Sequence, residues 1–244
     1  MITTLYIVAT PIGNLEDISI RAIRILGEVD FILCEDTRVT KRLLERYQIN
    51  TPVLSFHQHS DDRKTEEVLN LLSNGKSLAL VTDAGTPGIS DPGGKLVQSV
   101  IEKFDQEVKI ESVPGPSAVT AALSISGIQT DKFIFMGFPP HKKGRQTFIK
   151  KIIESEWPVV VYESKHRIIK FLEELKKIAE QGIEEVNKRG IKSIKKVDLT
   201  SVVVCRELSK MFETVYRGDI NSIIEKIKNS SDAQKGEFVV VVGR

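Results

Sequence analysis

Ser77-Leu78-Ala79-Leu80-Val81-Thr82-Asp83-Ala84-Gly85-Thr86-Pro87-Gly88-Ile89-Ser90-Asp91-Pro92-Gly93-Gly94, residues 77–94, decides the fold class. A short apolar run, Ser77 to Val81, reads as a buried strand. It is followed by 13 residues rich in Gly, Pro, Asp, Thr and Ser, Thr82 to Gly94. Within that stretch Pro92 opens a helix that runs to Lys103, since proline suits a first helical turn and little else in a helix. Strand, long polar loop and helix in this order make the repeating unit of a parallel sheet.

The same alternation continues on both sides. Toward the N-terminus, Thr4–Ala9, Phe31–Cys34 and Pro52–Phe56 read as strands. Between them lie a helix over Ile18–Leu26 stopping at Gly27, one running from an Asp36 or Thr37 cap to Tyr47, and one over Asp62–Ser73. Val108–Val113 is a further strand. After Pro114-Gly115-Pro116 the alternation restarts. Helices are expected at Ala118–Ser126, Arg145–Glu154, Arg167–Ala179 and Asp219–Lys228. Strands are expected at Lys132–Met136, Val159–Tyr162, Ser201–Cys205, Glu213–Tyr216 and Glu237–Val242. The later strands follow one another closely, so the second sheet is expected to be mixed. The reading is an α/β protein of two αβα domains, 1–115 with a mostly parallel, Rossmann-like sheet and 116–244 with a mixed one. The polar, Lys-rich stretch Gly182–Asp198 has no clear period and is expected to be an exposed, irregular insertion.

Composition narrows the class. Of 244 residues, 41% are apolar and 28% charged, which supports packed cores and argues against wholesale disorder. No stretch approaches the roughly 20 apolar residues of a membrane span, and the N-terminus carries no export signal pattern. Cys34 and Cys205 can build neither a disulfide framework nor a zinc site, so a reducing cytoplasm is the expected compartment. The net charge of +2 hides an asymmetry. Residues 1–120 carry 12 Lys and Arg against 17 Asp and Glu; residues 121–244 carry 23 against 16. A basic half of this kind suggests a polyanionic partner, although Lys-rich solvated helix faces give the same count.

Four Gly- and Pro-rich loops follow strand ends: Thr10–Leu15, Thr82–Gly94, Val113–Ala118 and Gly137–Pro140. In open parallel sheets, ligands bind beyond the carboxyl ends of strands, and glycine lets backbone approach them closely. Any one of these loops is explained by turn chemistry; four together point to a small-molecule site. The first is no Gly-x-Gly-x-x-Gly dinucleotide loop, and Gly75-Lys76-Ser77 lacks the earlier glycine of a phosphate-binding loop. Gly115-Pro116-Ser117-Ala118 is no nucleophile elbow. His57-Gln58-His59 with Asp61-Asp62 resembles a metal-binding group but has no convincing further ligands, so no metal is assigned.

These residues also carry a resemblance. Val8-Ala9-Thr10-Pro11-Ile12-Gly13-Asn14-Leu15, Glu35-Asp36-Thr37-Arg38, His57 and His59, Asp83 to Gly93, Val113 to Ala118, Gly137-Phe138-Pro139, Tyr162-Glu163-Ser164 with His166-Arg167, Arg206-Glu207-Leu208 and Lys235-Gly236-Glu237 run nearly end to end in one order. The chain resembles the tetrapyrrole methylase-like S-adenosylmethionine methyltransferases. Within them it is similar to the branch that modifies small-subunit ribosomal RNA, because Thr10-Pro11-Ile12-Gly13-Asn14 replaces the Gly-x-Gly-Pro-Gly-Asp loop of the porphyrin branch. Gln58, Ser60 and Lys165 depart from the usual Glu, Asn and Pro.

The resemblance implies S-adenosylmethionine as cofactor, 2′-O-methylation of a cytidine ribose in 16S ribosomal RNA of the 30S particle, a cytoplasmic homodimer, and a cofactor cleft between the domains. Pro11, Gly13, Asp83, Ala84, Gly85, Ile89 and Ser90 would line one side; Ser117, Ala118, Phe138 and Tyr162 would line the other. Glu35, Asp36 and Arg38 are the catalytic candidates at a strand-to-helix junction, with helix capping as the competing role for Asp36. Arg38, His59, Lys142, Lys143, Arg145, Lys150 and Lys151 are the RNA-binding candidates, and Glu163 joins His59 as a further substrate-side candidate. Methylation of a small tetrapyrrole, or RNA binding without catalysis, are the alternatives.

Overall fold

The computed structural model describes residues 2–57, 62–91, 93–186 and 192–243. The chain divides into two compact units, Met1–Ser117 and Ala118–Arg244.

The first unit is built on five parallel strands, β1 (Thr4–Val8), β2 (Phe31–Cys34), β3 (Val53–Ser55), β4 (Leu78–Leu80) and β5 (Lys109–Val113). Their order across the sheet is β3-β2-β4-β1-β5. The strands read as continuous apolar runs because both faces are covered. Val8, Ile32, Cys34, Ala79 and Val81 face helices α1 (Ile20–Glu28) and α2 (Thr37–Arg46). Leu5, Leu33, Leu78 and Leu80 face α3 (Asp62–Ser73) and α4 (Gly93–Phe104) on the other side. Alternate residues of one strand thus enter two separate cores.

Two details differ from the sequence expectation. A 3-10 turn over Leu15–Asp17 precedes α1, and α1 runs through Gly27 to Glu28. Gly27 has nothing within 4 Å of its would-be Cβ. It lies within the helix because Val29 still donates to the Ile25 carbonyl at 3.1 Å. Pro92 lies outside the described residues.

The second unit holds β6 (Ile134–Phe135), β7 (Val159–Ser164), β10 (Val202–Arg206), β11 (Thr214–Gly218) and β12 (Glu237–Val242), ordered β11-β10-β12-β7-β6. Only β6 and β7 pair in parallel; the other three pairings are antiparallel. Its main core joins Val159, Val161, Val202, Val204, Phe238 and Val240 to α6 (Arg145–Glu154), α7 (Ile168–Gln181) and α8 (Ile220–Lys228). Helix α5 (Ala118–Ser126) packs on β12. Val160, Val203, Cys205 and Val239, the alternate positions of the strands, are buried as well.

The stretch expected to be irregular folds as a hairpin. Strands β8 (Ile183–Val186) and β9 (Lys192–Lys195) pair antiparallel, with Ile183 opposite Lys195 and Val186 opposite Lys192. Residues 187–191 lie outside the described residues.

Candidate active site

In the first unit the site grows from the carboxyl ends of neighbouring strands. Beyond β1, Thr10 donates its backbone N–H to Gly85 (2.9 Å) and accepts from the Gly85 N–H (3.1 Å). The buried Thr10 Oγ1 donates to the Thr82 carbonyl at 2.9 Å. These three bonds fasten the loop after β1 to the loop after β4, leaving Asp83 and Ala84 exposed between the two anchored ends. Gly85 is buried at φ +91°, a conformation that L side chains resist. The third loop joins them: Thr86 Oγ1 donates to the Pro116 carbonyl at 3.3 Å, and Ala9 N–H donates to Val113. Pro11 is buried, Gly13 is exposed, and Ser117 is half-buried at the end of this unit.

The tip of the long loop is held by its own Asp91. One carboxylate oxygen accepts from the N–H groups of Gly88 and Gly93. That folds Gly88 against Gly93 so closely that a Cβ on Gly93 would stand 2.8 Å from the Gly88 nitrogen. Ser90 takes a left-handed φ of +63° and is exposed beside Ile89, which is 51% exposed. Strained, well-anchored backbone of this kind gathers at ligand-binding loops.

Carboxylates cluster on the same side. The Asp36 N–H donates to Asp83 Oδ1 at 3.1 Å, joining the end of β2 to the loop after β4. Thr82 Oγ1 donates to Glu35 at 3.4 Å. Burial pushes the Glu35 carboxyl up from its ordinary value, and the charges of Asp91 and Asp83 push the same way. Asp36 behaves oppositely. It caps α2 by accepting from the Arg38 N–H at 2.8 Å, and it takes two further bonds from the Arg38 guanidinium at 3.0 and 2.6 Å. Arg38 holds its pKa down to about 2. Asp36 is therefore a helix cap and ion-pair partner, and the weaker base of the two. Arg38 is exposed, yet its fork is engaged by Asp36.

The second unit, taken by itself, carries an aromatic group on β6, β7 and the loop after β6. Tyr162 N–H donates to the Gly137 carbonyl at 3.0 Å. The Tyr162 ring meets Phe135 and Phe138 edge-on, at centroid distances of 4.9 and 5.4 Å. Phe138 is 53% exposed, and Ala118 begins α5. Burial pushes the Tyr162 phenol up to about 12, so it stays neutral and keeps its proton at any working pH.

The basic tract needs a correction. Lys142, Lys143, Lys150 and Lys151 are exposed, with Lys150 paired to Glu154 at 3.5 Å. Arg145 is 6% exposed and does not belong to that surface. Its guanidinium lies among Glu174 (2.6 Å), Glu163 (3.5 Å) and the Pro140 carbonyl (3.2 Å). Glu163, expected toward the substrate, is buried as well and pairs with Arg167 at 2.8 Å. Arg167 in turn donates to the Pro139 carbonyl at 3.1 Å. Lys165 and His166, between Glu163 and Arg167 in the chain, are exposed, two cationic or titratable residues that the basic-run reading leaves out. Their signal in the sequence is their position just after a strand end. His59 lies outside the described residues, as do Gln58, Ser60 and Asp61.

The family model "Tetrapyrrole (Corrin/Porphyrin) Methylases" matches residues 4–224. The chain is 39% identical over 238 residues to the ribosomal RNA small subunit methyltransferase I of Thermotoga maritima, covering 98% of this chain and 97% of that one. It is 40% identical to the Xylella fastidiosa protein of the same name, covering 98% and 81%, and 38% identical to that of Escherichia coli O157:H7, covering 98% and 77%. Among solved structures, cobalt precorrin-4 methyltransferase matches with a TM-score of 0.64 at 18% identity, covering 98% of this chain and 94% of that one. Diphthine synthase matches at 0.71 and 14%, covering 99% and 90%. At these identities the structures share the fold alone.

Proposed function

The chain belongs to the tetrapyrrole (corrin/porphyrin) methylase family, and from that premise we propose that it transfers a methyl group from S-adenosylmethionine to the 2′-hydroxyl of a cytidine ribose in small-subunit ribosomal RNA. One observation carries the choice of substrate: the likeness to the ribosomal RNA enzymes runs over nearly the whole of both chains. The solved precorrin enzyme shares the architecture at far lower identity.

The residues present suit the donor. A sulfonium nucleoside needs backbone acceptors and carboxylate near its cation, polar groups at its amino-acid end and an apolar slot for adenine. The first unit offers exposed Asp83, Ala84, Ile89 and Ser90 on fastened loops, with Gly13 and the Pro11, Gly85 and Ser117 turns beside them. The second offers Ala118 and the Phe138–Tyr162 pair, whose ring faces attract cations. When bound, S-adenosylmethionine supplies an electrophilic methyl group. The chain's own work is to align the ribose hydroxyl and exclude water, which contributes up to about 7–11 kcal/mol in favourable systems. Glu35 is the group placed to take the 2′ proton, adding on the order of 10²–10⁴-fold. Lys142 and Lys143, with Lys165 and His166, face the RNA backbone; a second copy of the chain is the proposed partner in solution.

The test is incubation with radiolabelled S-adenosylmethionine and small subunits lacking the mark. Label is expected on a ribose, making the adjacent linkage resistant to alkali. Label on a base, on a porphyrin precursor instead of RNA, or on nothing overturns the proposal.

A further inference from the structure

Pro139-Pro140 poses a problem of attachment. Neither residue has an N–H, so this stretch of the Phe138 loop cannot be pinned through backbone donors of its own. Only its carbonyls can pin it, and two guanidinium groups donate to them. Arg167 Nη1 donates to the Pro139 carbonyl at 3.1 Å, and Arg145 Nη1 donates to the Pro140 carbonyl at 3.2 Å. Both arginines meet at Glu163, whose side chain is fully buried. Glu163 Oε1 forms an ion pair with Arg167 Nε at 2.8 Å and accepts from the Ser164 N–H at 2.7 Å, while Arg167 Nε donates to Ser164 Oγ at 3.3 Å. Its Oε2 lies 3.5 Å from Arg145 Nη1. Arg145 also takes Glu174 on its Nε side and lies over the Phe171 ring at 5.8 Å.

We propose that Glu163 is a positioning residue for the methyl-donor site. Its buried charge holds Arg145 and Arg167 in place, and through them fixes Pro139 and Pro140 so that Phe138 stands preformed against Tyr162. The inference rests on the proposed function only in taking the Phe138 loop to contact the donor.

The chemistry favours this over a purely stabilising role. Two guanidinium groups, one buried and one half-buried, that served packing alone would not both end on the consecutive carbonyls that follow the exposed Phe138. The ion pair on the Arg145 side is long, and Arg145 Nη2 and Glu163 Oε2 have no hydrogen-bond partner among the described residues. An ion-pair network optimised for stability alone would satisfy those atoms. What the geometry does satisfy fully is the hold on Pro139 through Arg167.

The test compares the wild-type chain with Glu163→Gln and Arg167→Lys. Glu163→Gln keeps the shape and an acceptor but loses the charge. Arg167→Lys keeps the charge but loses the planar fork that reaches Glu163 and Pro139 together. Calorimetric titration with S-adenosylmethionine should give a dissociation constant raised about tenfold or more in both variants, as loss of a preformed site predicts. The KM for S-adenosylmethionine should rise with it, while kcat on RNA stays within about threefold. Amide exchange should quicken in the peptide spanning residues 137–148. If Glu163→Gln fails to fold, Arg167→Lys decides, because Arg167 is the less buried member. Variants that bind donor within about twofold of wild type, however far their melting temperature falls, overturn the inference. A wild-type chain that binds no donor overturns the proposed function and this inference with it; a wild type that binds no better than its variants overturns this inference alone.

Discussion

Glu35 and Asp36 are consecutive, yet their carboxyls are driven apart. Glu35 is partly buried and faces Asp83 and Asp91, which raises it; Asp36 is clasped by Arg38, which lowers it to about 2. For stability the signs are opposite. The Asp36 contribution is complete above its ordinary value of 3.8 and is lost as pH falls through about 2. Glu35 favours the folded state only while protonated, so its contribution is lost as pH rises through its raised value. For catalysis, a proton acceptor at Glu35 must be ionised. The acid limb of the pH–rate profile is therefore expected above pH 4.5, the ordinary value for Glu35, and Glu35→Gln should abolish that limb and slow methyl transfer by about 10²-fold. An unchanged limb in the Glu35→Gln variant assigns the proton to another group. The capping role of Asp36 is legible in the sequence, since an Asp before a helical run is a standing N-cap signal. The burial of Glu35 is not, because it depends on what the loop after β4 brings to it.

The loop between β4 and α4 is one connection doing two jobs. It carries Asp83, Ala84, Ile89 and Ser90, and it turns sharply enough that Gly88 and Gly93 touch. Gly93→Ala puts a methyl 2.8 Å from the Gly88 nitrogen, backbone against backbone, where no side chain can give way. The expected result is a loss of about 1–3 kcal/mol in urea unfolding, as for overpacking, together with weaker donor binding. Gly27→Ala is the contrast, because it faces open space inside α1 and should stabilise the helix by about 1 kcal/mol. Equal effects of the two substitutions would refute this account of the loop. At this scale the sequence was informative wherever apolar runs alternate with amphipathic helices, which covers nearly every element of both sheets. It failed where partners lie far away in sequence. Strand order depends on pairings that no local pattern encodes. The 183–195 segment reads as irregular because polar residues dominate it, although its two arms pair across the hairpin. Arg145 reads as part of a basic run because the lysines on either side of it do; only Glu163 and Glu174, far along the chain, reveal it as buried.

Charge is partitioned between the two compact units. Met1–Ser117 holds 12 cationic against 17 acidic side chains, and Ala118–Arg244 holds 23 against 16. A polyanion is therefore repelled by the first unit and attracted by the second. The internal ion pairs of the second unit reduce what is available. Arg145, Arg167 and Lys210 are committed to carboxylates, and Lys228 to Glu173. Lys142 and Lys143 have no ion pair among the described residues and are exposed. They should therefore contribute more to RNA binding than Arg145, despite its larger and more versatile cation. Each phosphate contact to single-stranded RNA adds about −0.7 to the slope of log K against log salt, so the Lys142→Ala/Lys143→Ala double variant should bind more weakly and with a slope shallower by about 1.4. Measured by filter binding between low and moderate salt, an unchanged slope removes these lysines from the RNA interface. Methyl-donor affinity without RNA should be the same in the double variant and the wild type, because neither lysine belongs to the loops proposed to hold the donor. A parallel fall in both affinities would show that the basic tract acts through the Phe138 loop and not through phosphate.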